Sequence, residues 1–287
     1  IGEKLGHSFS KIIHNELKDY EYELKEIPKA ELKDFMIKKD FKAINVTIPY
    51  KQDVIPYLSE ISETASKIGA VNTIVNRYGK LYGYNTDFSG MRALIEFAGI
   101  TVNGKKVLIL GSGGTSKTAY AVAESLSAKE IYRVSRSGGE GLITYVQAEN
   151  EHNDAEIIIN TTPCGMYPNI GKSAVDISKF PRLSGVVDAV YNPLNSQLVV
   201  EAKEKGIAAV GGLYMLVAQA VFAAEKFTDS SIPVSEIERV YNKLLNEKLN
   251  LVLIGMPGSG KSTIGRAVAE ATGKVFIDSD EEIVKKE

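Results

Sequence analysis

Residues 105–119 read KKVLILGSGGTSKTA, and no other stretch restricts the fold as tightly. An unbroken apolar run, 107–110, is the signature of a strand covered on both faces, as in a parallel sheet. A glycine turn follows, and then a helix-forming run. Gly111 and Gly113 take the first two places of G-x-G-x-x-G, and Ser116 takes the third. The first place makes a tight turn, and the second lets backbone approach a pyrophosphate. The third must be small for helix–strand packing, and Ser is only slightly larger than Gly. Amides at the N-terminus of the helix then face the phosphates. Strand, glycine turn and helix in this order predict a doubly wound α/β sheet that binds a dinucleotide.

The surrounding sequence agrees. EIYRVSR, AEIIINTTP and GVVDAVYNP read as further buried strands ending in polar loops. Upstream, strand-like KAINVTI, VNTIVN and KLYGYN alternate with helical SKIIHNEL and KAELKDFMIKK, which is again an α/β pattern. The expected organisation is an α/β substrate domain at 1–86 and a Rossmann-type dinucleotide domain at 87–210. Helices at 213–247 return to the first domain. The most apolar segment, 207–224, reaches membrane-span length only by counting two glycines and Gln219. It predicts a buried helix beginning near Leu213.

Composition narrows the partners. Lys plus Arg is 34 and Asp plus Glu is 36, a net charge of −2. That balance gives no footprint for nucleic acid or an anionic membrane. Cys164 is the single cysteine, so no internal disulfide can form, and a reducing, cytoplasmic setting is expected. His7, His14 and His152 lack metal-ligand spacing.

The second nucleotide-domain strand ends at Ser135-Arg136-Ser137. An acid here would accept from the ribose hydroxyls of NAD. A guanidinium between two hydroxyls suits a 2′-phosphate, so NADP(H) is favoured over NAD. The N-terminal half carries small polar patches around Ser8 and Ser10, Asn45 to Lys51, Asn72 and Thr73, and Asn85 to Asp87. Uncharged donors and acceptors in such number suit a polyhydroxylated small molecule. Lys51 and Asp87 form the obvious proton-transfer pair for alcohol–ketone interconversion. Singly, each patch is more often a cap or turn, and a single Lys is usually a solvated surface residue.

A second phosphate motif stands near the end. GMPGSGKS at 255–262 fits G-x-x-x-x-G-K-[ST], behind an apolar run expected to be a buried strand. Gly255, Gly258 and Gly260 belong to a loop whose amides wrap phosphates. Lys261 reaches the terminal phosphates, and Ser262 binds magnesium. Only 287 − 262 = 25 residues follow Ser262. One strand, one helix and part of another strand cannot bury a core, so loose packing is expected.

Taken together, LGHSFS (5–10), NVTIPYK (45–51), GAVNT (69–73), YNTD (84–87), GSGG (111–114), NTTPCGM (160–166), DAVYNP (188–193) and GGLYMLVAQA (211–220) resemble the shikimate dehydrogenase family. The motifs fall in the family's order, from residue 1 to about 247. Lys11 stands where the family usually has Pro, SRS replaces the usual Asn-Arg-Thr, and most of the first strand is missing. The resemblance implies NADPH-dependent, reversible reduction of 3-dehydroshikimate to shikimate. It implies that Ser8 and Ser10 hold the substrate carboxylate, and that Thr47, Asn72, Asp87, Tyr191 and Gln219 hold ring hydroxyls and carboxylate. Lys51 would be the proton donor or acceptor, with Asp87 beside it. Glu63, Gly111, Ser112, Gly113, Gly114, Thr115, Ser135, Arg136, Ser137, Thr161, Thr162, Ala189 and Gly212 would line the cofactor. The family includes enzymes that also take quinate or use NAD, which is the alternative reading, and a monomer or homodimer is expected.

The tail resembles the opening of shikimate kinase, with VFIDSDEEI at 275–283 after the loop. That resemblance implies that Asp278 and Asp280 help hold metal and shikimate. It implies a natural fusion, in which ATP and Mg serve only an intact kinase domain. No phosphotransfer is expected of this chain. A working phosphotransferase is the competing reading.

Overall fold

The computed structural model describes residues 1–6, 8–17 and 20–284. His7, one of the three histidines considered above, lies outside them. The chain forms two compact units, residues 1–244 and 245–287. The boundary falls inside a helix, slightly ahead of residue 247, where the dehydrogenase motifs were expected to end.

The first unit holds two sheets. The smaller comprises β1 (Ala43–Asn45), β2 (Glu60–Ile61), β3 (Thr73–Arg77) and β4 (Lys80–Tyr84), in the order β1-β3-β4-β2. β3 pairs antiparallel with both β1 and β4, and β2 lies parallel to β4. Only Tyr78 and Gly79 join β3 to β4, with φ of 53° and 83°. A two-residue hairpin turn matching strand twist needs positive φ at both places, which Gly79 meets freely and Tyr78 at some cost. Around the sheet lie α1 (Ser10–Leu17), α2 (Leu32–Lys38) and α3 (Glu63–Ile68). Leu32, Met36, Val46, Tyr50, Val71, Ile74 and Leu81 form the core.

After α4 (Thr86–Phe97) comes a six-stranded sheet. Its strands are β5 (Lys106–Leu110), β6 (Glu130–Ser135), β7 (Leu142–Thr144), β8 (Ile157–Asn160), β9 (Gly185–Asp188) and β10 (Ala208–Val210). All run parallel, in the order β10-β9-β8-β5-β6-β7. The helices α5 (Gly114–Ser125), α6 (Tyr145–Glu151) and α7 (Gln197–Glu204) connect them. β8 and β9 are buried at every residue, as strands covered on both faces must be. The winding reverses between β5 and β8, which opens a crevice at the carboxyl ends of those strands. The doubly wound parallel sheet expected from the glycine turn is therefore present. The three-residue strands β7 and β10 are too short to show periodicity in the sequence.

The chain then returns to the smaller sheet through α8 (Leu213–Thr228) and α9 (Val234–Lys248). The buried helix expected from Leu213 starts at that residue. α8 crosses α4 where Gly90 removes a side chain. A Cβ there would sit 2.9 Å from both the Met215 carbonyl oxygen and Gln219 Cβ. α9 docks on α1 through Arg239 and Lys243, which both reach Glu16, at 3.6 and 2.7 Å. Among the described residues, no helix is long and apolar enough to cross a membrane.

The second unit leaves its apolar residues largely exposed, in line with the loose packing expected, but the strand expected before its loop does not form. It contains α10 (Lys261–Thr272) and α11 (Ser279–Val284), but the apolar runs before α10 and α11 form no strands. Leu251, Val252 and Ile254 are 62, 75 and 92% exposed, and Val275 and Ile277 are 85 and 70% exposed. A strand is completed by a neighbour's hydrogen bonds, and no ladder forms in this unit among the described residues. The partial P-loop α/β tail is thus two helices joined by extended segments.

Candidate active site

The cleft in the first unit has a volume of about 470 Å3. It is assembled from segments far apart in sequence. The strand-to-turn segment after β1 supplies Thr47 and Lys51. Tyr50 pins that turn: its side chain is fully buried, and its hydroxyl donates to the Ile27 carbonyl at 2.5 Å. The Val71 amide donates to the Lys51 carbonyl at 2.8 Å, tying the turn to the GAVNT segment.

Lys51 faces Asp87 across the cleft. The Lys51 Nζ to Asp87 Oδ2 distance is 2.6 Å, with the side chains 24 and 17% exposed. Asp87 sits in the first turn of α4, where the helix dipole favours a carboxylate. Asn85 caps that helix by accepting from the Phe88 amide at 3.1 Å.

Asn72 is held beside the pair by its own network. Its Oδ1 accepts from the Thr86 amide at 2.7 Å and from the Thr73 hydroxyl at 3.1 Å, and its Nδ2 donates to Thr86 Oγ1 at 3.1 Å. With the acceptor side committed, one amide N–H is left for a ligand. Ser8 lies on the loop entering α1 and Ser10 is the first residue of that helix, its amide donating to Ser8 Oγ at 3.3 Å. Gln219 donates to the Leu216 carbonyl of its own helix at 2.9 Å, which leaves its oxygen and one N–H uncommitted among the described residues. Tyr191 packs edge-on to Phe9, ring centroids 5.7 Å apart, and burial raises its phenol above the ordinary range.

The cleft thus gathers Ser8, Ser10, Thr47, Lys51, Asn72, Asp87, Tyr191 and Gln219, the eight catalytic and substrate positions expected from sequence. Thr115, Ala189 and Gly212 line it as well. Sequence reasoning did not single out Tyr22, Asn45 or Met215, which also line it. The Tyr22 hydroxyl donates to Asn45 Oδ1 at 2.9 Å. Asn45 stood in a polar patch already noted; Tyr22 gave no signal, because a lone Tyr in a mixed segment reads as surface.

The remaining cofactor positions cluster at the crevice of the parallel sheet. Gly111 has φ +122°, and a Cβ there would meet Thr161 Oγ1 at 2.6 Å, so only glycine fits. Around Gly113 and Gly114, by contrast, a Cβ would find nothing within 4 Å. Gly113 caps α5 without a side-chain hydrogen bond, so the first amides of α5 face open space. That is the cradle a pyrophosphate fills, and the residues fit a dinucleotide. Ser135 closes its loop by donating to the Gly138 carbonyl at 3.1 Å, while Arg136 and Ser137 are exposed. Gly212 lies so close to the Ala189 carbonyl that it leaves no room for a side chain. Glu63 is placed differently from the rest. It occupies the exposed first turn of α3, outside the cleft lining, on a helix linked to α5 by Lys67 and Glu124 at 3.8 Å.

A buried carboxylate braces both cofactor loops. Asp188 is fully buried and accepts from Asn160 Nδ2 and the Val190 amide, each at 2.9 Å, and from the Ser196 hydroxyl. Asn160 in turn accepts from the Thr162 amide at 3.0 Å. Burial pushes the Asp188 carboxyl up to about 6, against the pull of those donors.

In the second unit, Gly258 and Gly260 have φ of 77° and 84°. Lys261 Nζ donates to the Gly255 and Met256 carbonyls, each at 2.8 Å, and so folds back over its own loop. Ser262 donates to Asp278 Oδ2 at 3.0 Å and holds that carboxyl below its usual range. The Asp280 amide donates to Asp278 Oδ1 at 3.1 Å.

A doubly wound sheet with a phosphate-ready glycine turn, opening on a cleft with a lysine–aspartate pair, defines a two-sheet, dinucleotide-linked oxidoreductase. Comparison with known proteins makes this specific. Residues 1–74 match the family model of the shikimate dehydrogenase substrate binding domain, and residues 257–287 match that of shikimate kinase. A shikimate dehydrogenase (NADP(+)) of Clostridium perfringens is 39% identical over 272 residues, covering 85% of this chain and 96% of that protein. The crystal structure of a chorismate mutase/shikimate 5-dehydrogenase fusion protein from Clostridium acetobutylicum superposes with a TM-score of 0.80 at 37% identity, covering 86 and 96% of the two chains. The shikimate 5-dehydrogenase of Thermus thermophilus in complex with NADP(H) and shikimate gives 0.75 at 26% identity, covering 84 and 97%. The chain belongs to the shikimate dehydrogenase family.

Proposed function

We propose that this chain catalyses the reversible reduction of 3-dehydroshikimate to shikimate with NADPH. The observation that carries the reading is the 2.6 Å Lys51–Asp87 pair, set in a cleft that also gathers Ser8, Ser10, Thr47, Asn72, Tyr191 and Gln219. Relatives named for this reaction, and a related structure holding NADP(H) and shikimate, support it. The work divides between residues 1–86, completed by helices 213–247, and a nucleotide domain at 87–210.

The dinucleotide supplies a hydride when bound. The protein supplies the rest. Lys51 donates its proton to the ketone oxygen as that oxygen gains charge, and takes it back in the reverse direction. Asp87 holds the ammonium in place. Ser8 and Ser10 donate to the substrate carboxylate. Thr47, Asn72 and Gln219 hold ring hydroxyls through neutral hydrogen bonds, which reject analogues lacking those hydroxyls. Gly111 to Thr115 take the pyrophosphate, and Arg136 takes the 2′-phosphate.

The second unit has a phosphate loop matching the shikimate kinase family model and, among the described residues, no sheet to hold it, so ATP turnover with shikimate is not expected here. A single cysteine and a balanced charge suit a monomer or homodimer in the cytoplasm. A spectrophotometric assay crossing shikimate and quinate with NADP+ and NAD+ tests the reading. Wild type should favour shikimate with NADP+, and Lys51→Ala should lose nearly all activity. An undiminished rate in that variant removes the role given to Lys51.

A further inference from the structure

The glycine turn carries a cation that the sequence pattern did not single out. Arg133 lies on β6, whose neighbouring residues Tyr132 and Val134 belong to the core on one face of the sheet. Strand alternation sends Arg133 to the other face, where α5 packs. Its guanidinium is fixed there by two neutral oxygens. Nε donates to Ser116 Oγ at 3.1 Å, and Nη2 donates to the Ser112 carbonyl at 3.3 Å. Ser112 is the second residue of the G-S-G-G turn, and Ser116 is fully buried in the first turns of α5.

The charge of Arg133 is uncompensated. Among the described residues, no carboxylate lies within ion-pair distance of Arg133 or Arg136. A guanidinium has five N–H donors in a planar fork, and two bonds to the turn leave three to give. Arg133 is half-buried, and its Nη2 bond to the turn is exposed, so the guanidinium end reaches solvent beside the turn. Bracing a loop alone would not require a charge, since a neutral amide could make the same two bonds. The adenosine ribose of a dinucleotide lies between this turn and the end of the second strand. Arg136 follows that strand end, and Arg133 stands on the turn side.

We propose that Arg133 is a specificity-determining residue that, with Arg136, brackets the 2′-phosphate of NADP(H). The inference rests on the cofactor reading above. A guanidinium fixed on the turn and a second at the strand end exceed what a ribose hydroxyl needs, and each contributes a charge-assisted bond that NAD cannot return.

The test compares wild type with Arg133→Leu, and with Arg133→Gln, which keeps a neutral donor for the turn. The first readout is kcat/KM for NADP+ and for NAD+ with shikimate. The second is calorimetric binding of 2′,5′-ADP against 5′-AMP. Both variants should lower the NADP+ to NAD+ ratio by about tenfold or more while NAD+ values move by less than about twofold. Affinity for 2′,5′-ADP should fall with 5′-AMP unchanged. An equal fall with both cofactors makes Arg133 a brace for the turn and overturns the proposal, as does an unchanged ratio. If Arg133→Leu does not fold, Arg133→Gln carries the same judgement. If wild type turns over shikimate with neither cofactor, the functional reading fails, while the nucleotide titration still decides Arg133.

Discussion

Gly90→Ala strikes the crossing of α4 and α8, where stability and catalysis meet. An added methyl would lie 2.9 Å from the Met215 carbonyl oxygen, 2.9 Å from Gln219 Cβ and 3.1 Å from the Gln219 amide nitrogen. Two of these are backbone atoms, which cannot swing aside. Alanine should gain about 1 kcal/mol from helix propensity. Overpacking costs about 1–3 kcal/mol, and backbone neighbours place this site in the upper part of that range. The net is a destabilisation of about 1–2 kcal/mol. For a unit of this size, that lowers Tm by about 3–6 °C, read by scanning calorimetry. The helices can relieve the clash only by moving apart, and they carry Asp87 and Gln219. A displacement of that kind lowers kcat/KM for shikimate by about tenfold to a hundredfold. A variant with unchanged or raised Tm and full kcat/KM would refute the argument, because propensity would then outweigh the contact.

The other predictions are shorter. Lys51→Met should lower kcat by about a hundredfold or more while the Kd for NADP+ holds, measured by steady-state rates and titration. His14 is fully buried against Tyr22 and bonded to Tyr20 at 2.6 Å, and burial lowers its pKa from 6.5 to about 4. The unfolded chain therefore binds the proton first, and His14 costs stability as pH falls from 6.5 towards 4. Asp188 works in the opposite sense: its pKa rises from 3.8 to about 6, so it costs stability as pH rises through that window. The two slopes oppose each other, and Asp188→Asn should make the acid side of a Tm–pH curve steeper than in wild type. A parallel curve counts against this assignment. Amides at 250–256 and 275–277 should exchange hydrogen much faster than those of β5 by mass spectrometry, because they pair with no strand among the described residues. Protection equal to that of β5 would show that a ladder forms there.

Much of this could be read from residues, and the exceptions have physical causes. The glycine turn was legible because its conformation excludes other residue types: a side chain at Gly111 would strike Thr161. Lys51 and Asp87 were legible by chemical type. Their 2.6 Å approach across 36 residues needed the fold. Tyr22 was missed because a lone Tyr in a mixed segment reads as surface, and Arg133 because alternation along a strand does not tell which face meets a ligand. The apolar run before the second phosphate loop was read as a buried strand from hydrophobicity, but a strand's hydrogen bonds belong to a neighbour. Residues 249–255 carry the composition of a strand and lack the partner.

The order in which the cleft's parts leave the ribosome differs from their order in space. Ser8, Thr47, Lys51, Asn72 and Asp87 are made early, yet Gln219 and the helix that seats it against α4 come only after the whole parallel sheet. Some 120 residues of nucleotide fold are synthesised in between (87–210). The small sheet can therefore bury its own core before the parallel sheet exists, whereas the substrate site is complete only once α8 has been made.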